Sequence, residues 1–376
     1  MKAITIVPGT TTLRLEDRAE PSITVPDEVK VQVRCVGICG TDREEAAGGR
    51  ARAPEGQEGL IIGHEMLGQV VEVGQEVARV KPGDYAIFTV RRGCGQCLPC
   101  AMHRSDMCRT GGYHERGIWG LDGYQAEYVV DKEAYVVRVP TELESLGVLT
   151  EPLSVAEKAI EEAVRLQLVR LPDAPATPNW LFGRRCLIAG LGPIGLLAAM
   201  ALRLRGAEVY GLDIVDDTSA RPQWLVHIGG HYVDGRQIPP DKVGDELGPM
   251  ELIFEATGIP GLAFNLLDAL ARNGVYVLTG IPGGDRPLEI PGAELIRQLV
   301  LNNQVMVGSV NAARDHFQMA VDDLEDAQHR WGDHVTKLIT HHYPYTDFAA
   351  ALGQHPPNEI KAVIEWGAAG HIQEER

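Results

Sequence analysis

Apolar and polar residues alternate at period two through the first part of the chain. Val29-Lys30-Val31-Gln32-Val33-Arg34-Cys35 is the clearest run, the signature of a half-buried strand, and Gln69–Val73 repeats it before Gly74. Met1–Val7 reads as a first strand turned by Pro8-Gly9, and Val80-Lys81-Pro82-Gly83-Asp84 as a turn feeding a strand over Tyr85–Val90. These runs predict an antiparallel, barrel-like domain. After Glu151 the pattern changes. Val155–Leu168 has helical spacing, and Leu171–Asn179 carries three prolines and reads as an extended loop. Strands and helices then alternate: Arg185–Ala189, Leu196–Arg205, Val209–Leu212, Leu252–Ala256, a helix over Gly261–Ala271, Val275–Leu278 and Val305–Val307. Such βα alternation predicts a doubly wound parallel sheet covered on both faces. A helix near Asp315–Leu324 and a strand near Ala362–Glu365 are expected to return to the first domain. The chain thus reads as α/β, with a β-rich domain over 1–158 and 308–376 and a parallel-sheet domain over 159–307.

Length and charge narrow the function classes. The 376 residues suit about two domains. Against 35 Lys and Arg stand 52 Asp and Glu, a formal charge of −17 that argues against nucleic acid and anionic lipid as partners. No apolar run approaches the ~18 residues of a membrane span, and no secretory h-region opens the chain. Four of the seven cysteines fall in one short segment, which favours metal chemistry in a reducing, cytoplasmic setting over a disulfide scaffold.

Gly190-Leu191-Gly192-Pro193-Ile194-Gly195 follows one predicted strand and opens a helix, as a Rossmann dinucleotide fingerprint requires. Gly190 permits the tight turn, Gly192 lets a pyrophosphate approach, and Gly195 lets helix and strand pack. Asp213 follows the second strand, which ends at Leu212; a carboxylate there accepts both ribose hydroxyls of NAD and repels the 2′-phosphate of NADP. NAD is therefore the preferred cofactor, with NADP second. The nicotinamide is expected near Thr257 and Thr279, at C-terminal strand ends.

Cys94-x-x-Cys97-x-x-Cys100-x7-Cys108 can wrap a tetrahedral zinc with no open position, a structural site. Two disulfides or an iron–sulfur cluster use the same four residues. Cys39, His64 and Glu151, with Glu65 beside them, form a dispersed second set. A thiolate, an imidazole and a carboxylate with one position left to water make an open, catalytic zinc site. Singly, these residues read as a core thiol, a core histidine and solvated acids.

Together these motifs resemble the zinc-dependent medium-chain dehydrogenase/reductase superfamily over essentially the whole chain: Gly37-Ile38-Cys39-Gly40-Thr41-Asp42, Gly63-His64-Glu65, the four-cysteine lobe, Glu151-Pro152-Leu153-Ser154 and the fingerprint, in that order. Within it the chain is most similar to the archaeal-type glucose 1-dehydrogenases, through Gly40–Glu44, Val90–Gly95, Asp122-Gly123-Tyr124, Glu151–Lys158 and Val307–Asn311. The resemblance implies a GroES-like catalytic domain and two zinc ions per chain. Cys39, His64 and Glu151 would hold the catalytic one, with Glu65 as alternate ligand. Thr41 would serve the proton path, and Thr41, Glu115, Glu151 and Asn311 would meet a sugar. The implied reaction is oxidation of D-glucose at C1 to the lactone by NAD(P)⁺. Asp213-Ile214-Val215 replaces the Asn-Arg-Arg of several NADP-accepting relatives, and Val90 falls where some relatives place a sugar-holding Asn. Sorbitol-type polyol and L-threonine dehydrogenases share several of the motifs and stand as the alternative. A non-catalytic nucleotide-binding protein would have lost a zinc ligand, and none is missing. Relatives form dimers or tetramers, so a homo-oligomer is expected, with Val305–Val310 as a pairing strand.

Overall fold

The computed structural model describes residues 1–174, 179–284 and 287–367. Residues 175–178 of the expected proline-rich loop, and 368–376 at the end, lie outside the described residues. The chain divides into two compact units. The first takes Met1–Glu151, Ala312–Leu324 and the segment from Ile339 onward; the second takes Pro152–Asn311 and Glu325–Leu338.

In the first unit the strand Glu28–Gly37 is the hub. Val29, Val31 and Val33 are fully buried while Lys30, Gln32 and Arg34 are half-buried, so the period-two pattern becomes two faces of a strand. Glu65–Val73, Tyr128–Lys132 and Lys361–Glu365 all pair with it antiparallel. The last of these carries the chain's late residues into the sheet, where Ile339–Pro344 lies parallel beside it. Tyr85–Phe88 and Val136–Val139 extend the other side, giving seven strands. A three-stranded sheet of Lys2–Ile6, Leu13–Asp17 and Leu60–Ile61 adds Ile4, Ile6 and Leu60 to the same core as Val31, Phe88, Tyr124 and Ile364. Tyr85–Phe88 does not alternate; all four residues are buried.

A small sheet ties in the four-cysteine loop. Arg91–Arg92 pairs with His114–Arg116, which pairs with Gly120–Leu121. Its arginines are anchored inward: buried Asp131 accepts Arg92 at 2.5 Å and Arg116 at 2.6 Å, and the Arg92 guanidinium stacks 3.8 Å from the Tyr135 ring centre.

The second unit holds a six-stranded parallel sheet. From edge to edge its strands are His231–Asp234, Glu208–Asp213, Arg185–Ala189, Met250–Glu255, Leu270–Leu278 and Val305–Gly308. In chain order that is 3-2-1-4-5-6, the dinucleotide-binding winding with its switch point beside the first strand. Leu187, Ala189, Ile253 and Tyr276 fill the core.

Two local readings change, and one helix is added. The apolar spacing over Gly261–Ala271 suggests one helix, but the helix ends at Asn265, a 3₁₀ turn covers Leu266–Ala269, and Leu270 already belongs to a strand. Both helix types bury the same apolar residues, so spacing does not separate them. Ala220–His227, unassigned from the sequence, is a helix whose Pro222 lies in the first turn, where a missing N–H costs nothing. The helix expected at Asp315–Leu324 runs from Arg314 to Trp331.

Candidate metal and nucleotide sites

The antiparallel register of Glu28–Gly37 builds the first site. Gly37 lies opposite both Glu65 and Val363, so the residues just beyond it (Cys39, His64 and Lys361) converge. The cysteine sulfur, an imidazole nitrogen of His64 and a carboxylate oxygen of Glu65 lie within 4.8 Å of one another. Gly37 has to be glycine here, because a Cβ would lie inside contact distance of Glu65 Oε2 and 2.9 Å from Lys361 Cε.

Buried charges orient the donors. Asp42 Oδ1 is 3.4 Å from His64 Nδ1, and the other Asp42 oxygen accepts the Cys39 amide at 2.8 Å. With the Asp42 carboxylate facing Nδ1, Nε2 would be the nitrogen to ligate a metal, as in the carboxylate–histidine arrangement typical of metal sites. Burial disfavours both charges, yet Asp42 lifts the His64 imidazole well above its ordinary range and is itself lowered in return. Glu65 pairs with Lys361, whose Nζ also donates to the Ile38 carbonyl at 2.9 Å. Burial pushes the Glu151 carboxyl up to about 7 against the pull of His64, with Glu65 adding to the rise. Thus Glu151 shares the electrostatic surroundings of Cys39, His64 and Glu65, though the tight donor cluster is those three alone. Thr41 stands beside them, its hydroxyl 3.9 Å from Cys39 Sγ. This soft-plus-hard donor set with buried, pre-oriented groups fits zinc.

The second cluster comprises Cys94, Cys97, Cys100 and Cys108, whose sulfurs lie within 4.8 Å of one another and are all free. Cys94 and Cys100 sulfurs are 3.9 Å apart, close to the edge of a tetrahedron with ~2.3 Å bonds to zinc. The Thr110 hydroxyl holds the Cys108 thiol down to about 5 and lowers Cys94 as well, biasing both toward the thiolate a metal binds. A Cβ on Gly93 would lie 2.6 Å from Cys100 Sγ.

In the second unit Gly190 adopts φ +91°, Gly192 caps the helix Pro193–Leu204, and nothing lies within 4 Å of where a Gly192 Cβ would be. That open backbone cradle at a helix N-terminus fits a pyrophosphate, with Pro193 and Ile194 in its first turn. Gly195 packs against the Gly190 carbonyl so closely that any Cβ would collide with it. Replacing Gly195 with Val is therefore expected to weaken NADH binding at least roughly tenfold, read by fluorescence titration; unchanged affinity would refute the close-packing role. Asp213 is fixed by two backbone amides, Leu191 at 2.8 Å and Ile214 at 2.7 Å, which aim its remaining lone pairs outward. Thr257 and Thr279 stand at the C-terminal ends of their strands, and both hydroxyls donate to Glu255, to its carboxylate and its backbone carbonyl respectively.

Neither Glu115 nor Asn311, the other expected sugar contacts, is a member of the metal-donor cluster. Glu115 receives Arg91 at 2.9 Å on the small sheet of the first unit. Asn311, left-handed at φ +61°, ends the long middle segment of the second unit. Sequence reasoning overlooked Asp42, Lys361 and Glu255. Asp42 stood inside the quoted motif, three residues from Cys39. Glu255 opens Glu-Ala-Thr-Gly, and its buried carboxylate accepts the amides of Thr257 and Gly258 at 2.6 and 2.9 Å. Lys361 had no local signal.

Comparison with known proteins follows the same lines. Residues 25–141 match the profile of the alcohol dehydrogenase GroES-like domain, and residues 144–366 that of the glucose dehydrogenase C-terminus. The chain is 39% identical to glucose 1-dehydrogenase 2 of Vulcanisaeta moutnovskia, covering 97% of this chain and 99% of that one. It is 38% identical to glucose 1-dehydrogenase of Thermoproteus tenax at the same coverage. Haloferax mediterranei glucose dehydrogenase, solved in complex with NADP, Zn and gluconolactone, superposes with a TM-score of 0.86 at 32% identity, covering 98% of this chain and 99% of that chain.

Proposed function

The chain belongs to the glucose dehydrogenase family of zinc-dependent medium-chain dehydrogenases, and from that premise we propose that it oxidises D-glucose, or a closely related aldose, at C1 to the gluconolactone with hydride transfer to NAD(P)⁺. The observation that carries the reading is the convergence of Cys39, His64 and Glu65 donor atoms within 4.8 Å. Cys39, His64 and Glu151 would hold the catalytic zinc, with Glu65 as alternate ligand, and the four-cysteine loop a structural zinc. Bound there, zinc supplies Lewis-acid polarisation of the sugar's C1 hydroxyl, while the dinucleotide accepts the hydride. Asp42 keeps the imidazole in its ligating orientation, and Lys361 neutralises Glu65. The Thr41 hydroxyl, beside Cys39, would take the hydroxyl proton and pass it outward. Glu115 and Asn311 would read the sugar hydroxyls. A site built to hydrogen-bond hydroxyls rejects sugars that leave its groups unpaired.

The deciding experiment measures reduced-nicotinamide formation with D-glucose, sorbitol and L-threonine in parallel. A rate on glucose that a chelator abolishes supports the proposal; turnover confined to sorbitol or threonine would move the enzyme to a sister family. Asp213 would set the cofactor. Asp213→Ala is expected to lower the ratio of kcat/KM for NAD⁺ over NADP⁺ by roughly tenfold to a hundredfold, the value of a hydrogen bond to a charged group. An unmoved ratio would place discrimination elsewhere.

Assembly through the second unit is part of the proposal. Val305–Gly308 is an edge strand, and the neighbouring helix Gly292–Leu301 leaves Ile296, Val300 and Leu301 about two-thirds exposed. An apolar edge of this kind invites pairing with a second copy. Light scattering on Val300→Glu would give monomers where the parent gives dimers or tetramers. No helix among the described residues is long and apolar enough to cross a membrane. The free thiols suit a cytoplasmic location.

A further inference from the structure

A cavity of about 420 Å³ opens in the first unit, walled by the four-cysteine loop on one side and the start of the helix Arg314–Trp331 on the other. None of Cys39, His64, Glu65 or Glu151 lines it. Its charged lining is Arg79, Arg104 and Arg314 against the single carboxylate of Asp315, with His103 beside them. That is an excess of positive charge in a chain whose formal charge is −17.

The three arginines are not equivalent. Arg104 is gripped by the buried carboxylate of Asp106 at 2.7 and 2.9 Å. Arg314 spends its Nε on the Val136 carbonyl at 3.0 Å. Its two terminal nitrogens have no hydrogen-bond or ion-pair partner among the described residues, and neither has the Arg79 guanidinium. Arg79 is fixed through its backbone instead: Glu133 takes the amides of Ala78 and Arg79 at 2.7 and 2.5 Å. Burial and the Arg79 charge both hold the Arg314 guanidinium below its usual value, against the opposite pull of Asp315 and Glu133. The Ser105 hydroxyl is within the same wall, donating to the Arg91 carbonyl at 3.2 Å.

We infer that this cavity is a binding site for a phosphate dianion, free or carried as the phosphomonoester of a small molecule, held between Arg79 and Arg314. A guanidinium presents paired N–H donors that match phosphate oxygens, and an anion between two of them replaces repulsion with two charge-assisted contacts. The volume lies within the range of small-molecule pockets, leaving room for a short organic group beside the phosphate. Arg314 is the first residue of an 18-residue helix, so the helix dipole adds to the attraction.

The test uses the zinc-loaded enzyme saturated with NAD⁺, so that the glycine cradle is already filled. Inorganic phosphate and glycerol 3-phosphate are titrated separately by ³¹P NMR and by thermal shift, with glycerol and with sodium chloride at equal ionic strength as controls. Saturable binding is expected, weakened at least tenfold in Arg79→Gln and in Arg314→Gln. Whichever phosphate binds in this Arg79-dependent way identifies the source the site serves. Arg79 is exposed and its side chain makes no hydrogen bond or ion pair among the described residues, so Arg79→Gln decides the matter even if Arg314→Gln folds poorly. A response equal to that of chloride, or the same affinity in Arg79→Gln as in the parent, would overturn the inference.

Discussion

Exchanging Cys39 for serine is expected to leave a folded protein that has lost one of two zinc ions and roughly 10³-fold or more of its kcat/KM for sugar oxidation. The magnitude follows from the several kcal/mol of charge stabilisation a Lewis-acid metal provides at the reacting oxygen, with each ~1.4 kcal/mol worth a factor of ten. Serine keeps the side-chain volume close but replaces a soft thiolate with a hydroxyl that stays protonated near neutrality, so the donor set fails for zinc while the backbone around it survives. Elemental analysis and steady-state kinetics on the same preparation read both halves. Two zinc ions per chain with undiminished activity would remove Cys39 from the site. Asp42→Asn should give a smaller loss, about 10- to 100-fold, because it disturbs the orientation of His64 and leaves the ligands in place.

The second large effect concerns stability. Asp131 is buried and accepts bonds from both Arg92 and Arg116. Against the penalty of its burial, Arg116 and Arg92 hold its carboxyl at about 2. Removing one member of such a group leaves uncompensated charge inside the protein, a cost of about 3–5 kcal/mol. Asp131→Ala is expected to lower Tm by roughly 10 °C, taking 2–4 °C per kcal/mol for a unit of this size. The parent's pH response has a definite sign. A depressed carboxyl contributes its stability fully above its unfolded value near 4, and that contribution drains away as the pH falls toward about 2. Scanning calorimetry from pH 5 to pH 2 should therefore show a steeper loss for the parent than for Asp131→Ala. Parallel curves would mean the carboxylate is not the coupled group.

Much of this molecule was legible before any coordinates. The glycine fingerprint worked because each glycine answers a local demand, and strand, turn and helix stand next to one another in the chain. The four cysteines were readable for the same reason, since a metal loop of short gaps closes on itself. Cys39 and His64 were readable only as a combination of motifs, and their meeting depends on the register of Glu28–Gly37 with Glu65–Val73. Lys361 shows where local reasoning stops. It enters the site through a strand pairing between residues far apart in sequence, and nothing around Lys361 announces a partner at Glu65. The 3₁₀ turn at Leu266–Ala269 was hidden for a different reason: one apolar stripe serves two helical geometries.

That late strand has a bearing on how the chain comes off the ribosome. The four-cysteine loop is fully translated by Cys108 and can close around its metal while most of the protein is still unmade. Glu65 has no such option. Its buried counter-charge arrives only when Lys361 emerges and Lys361–Glu365 inserts beside Glu28–Gly37. Domains tend to fold as they are synthesised, N-terminal part first. Here that rule meets a constraint: a nascent chain that ends before Lys361 lacks the strand that pairs with Glu28–Gly37 beside Gly37.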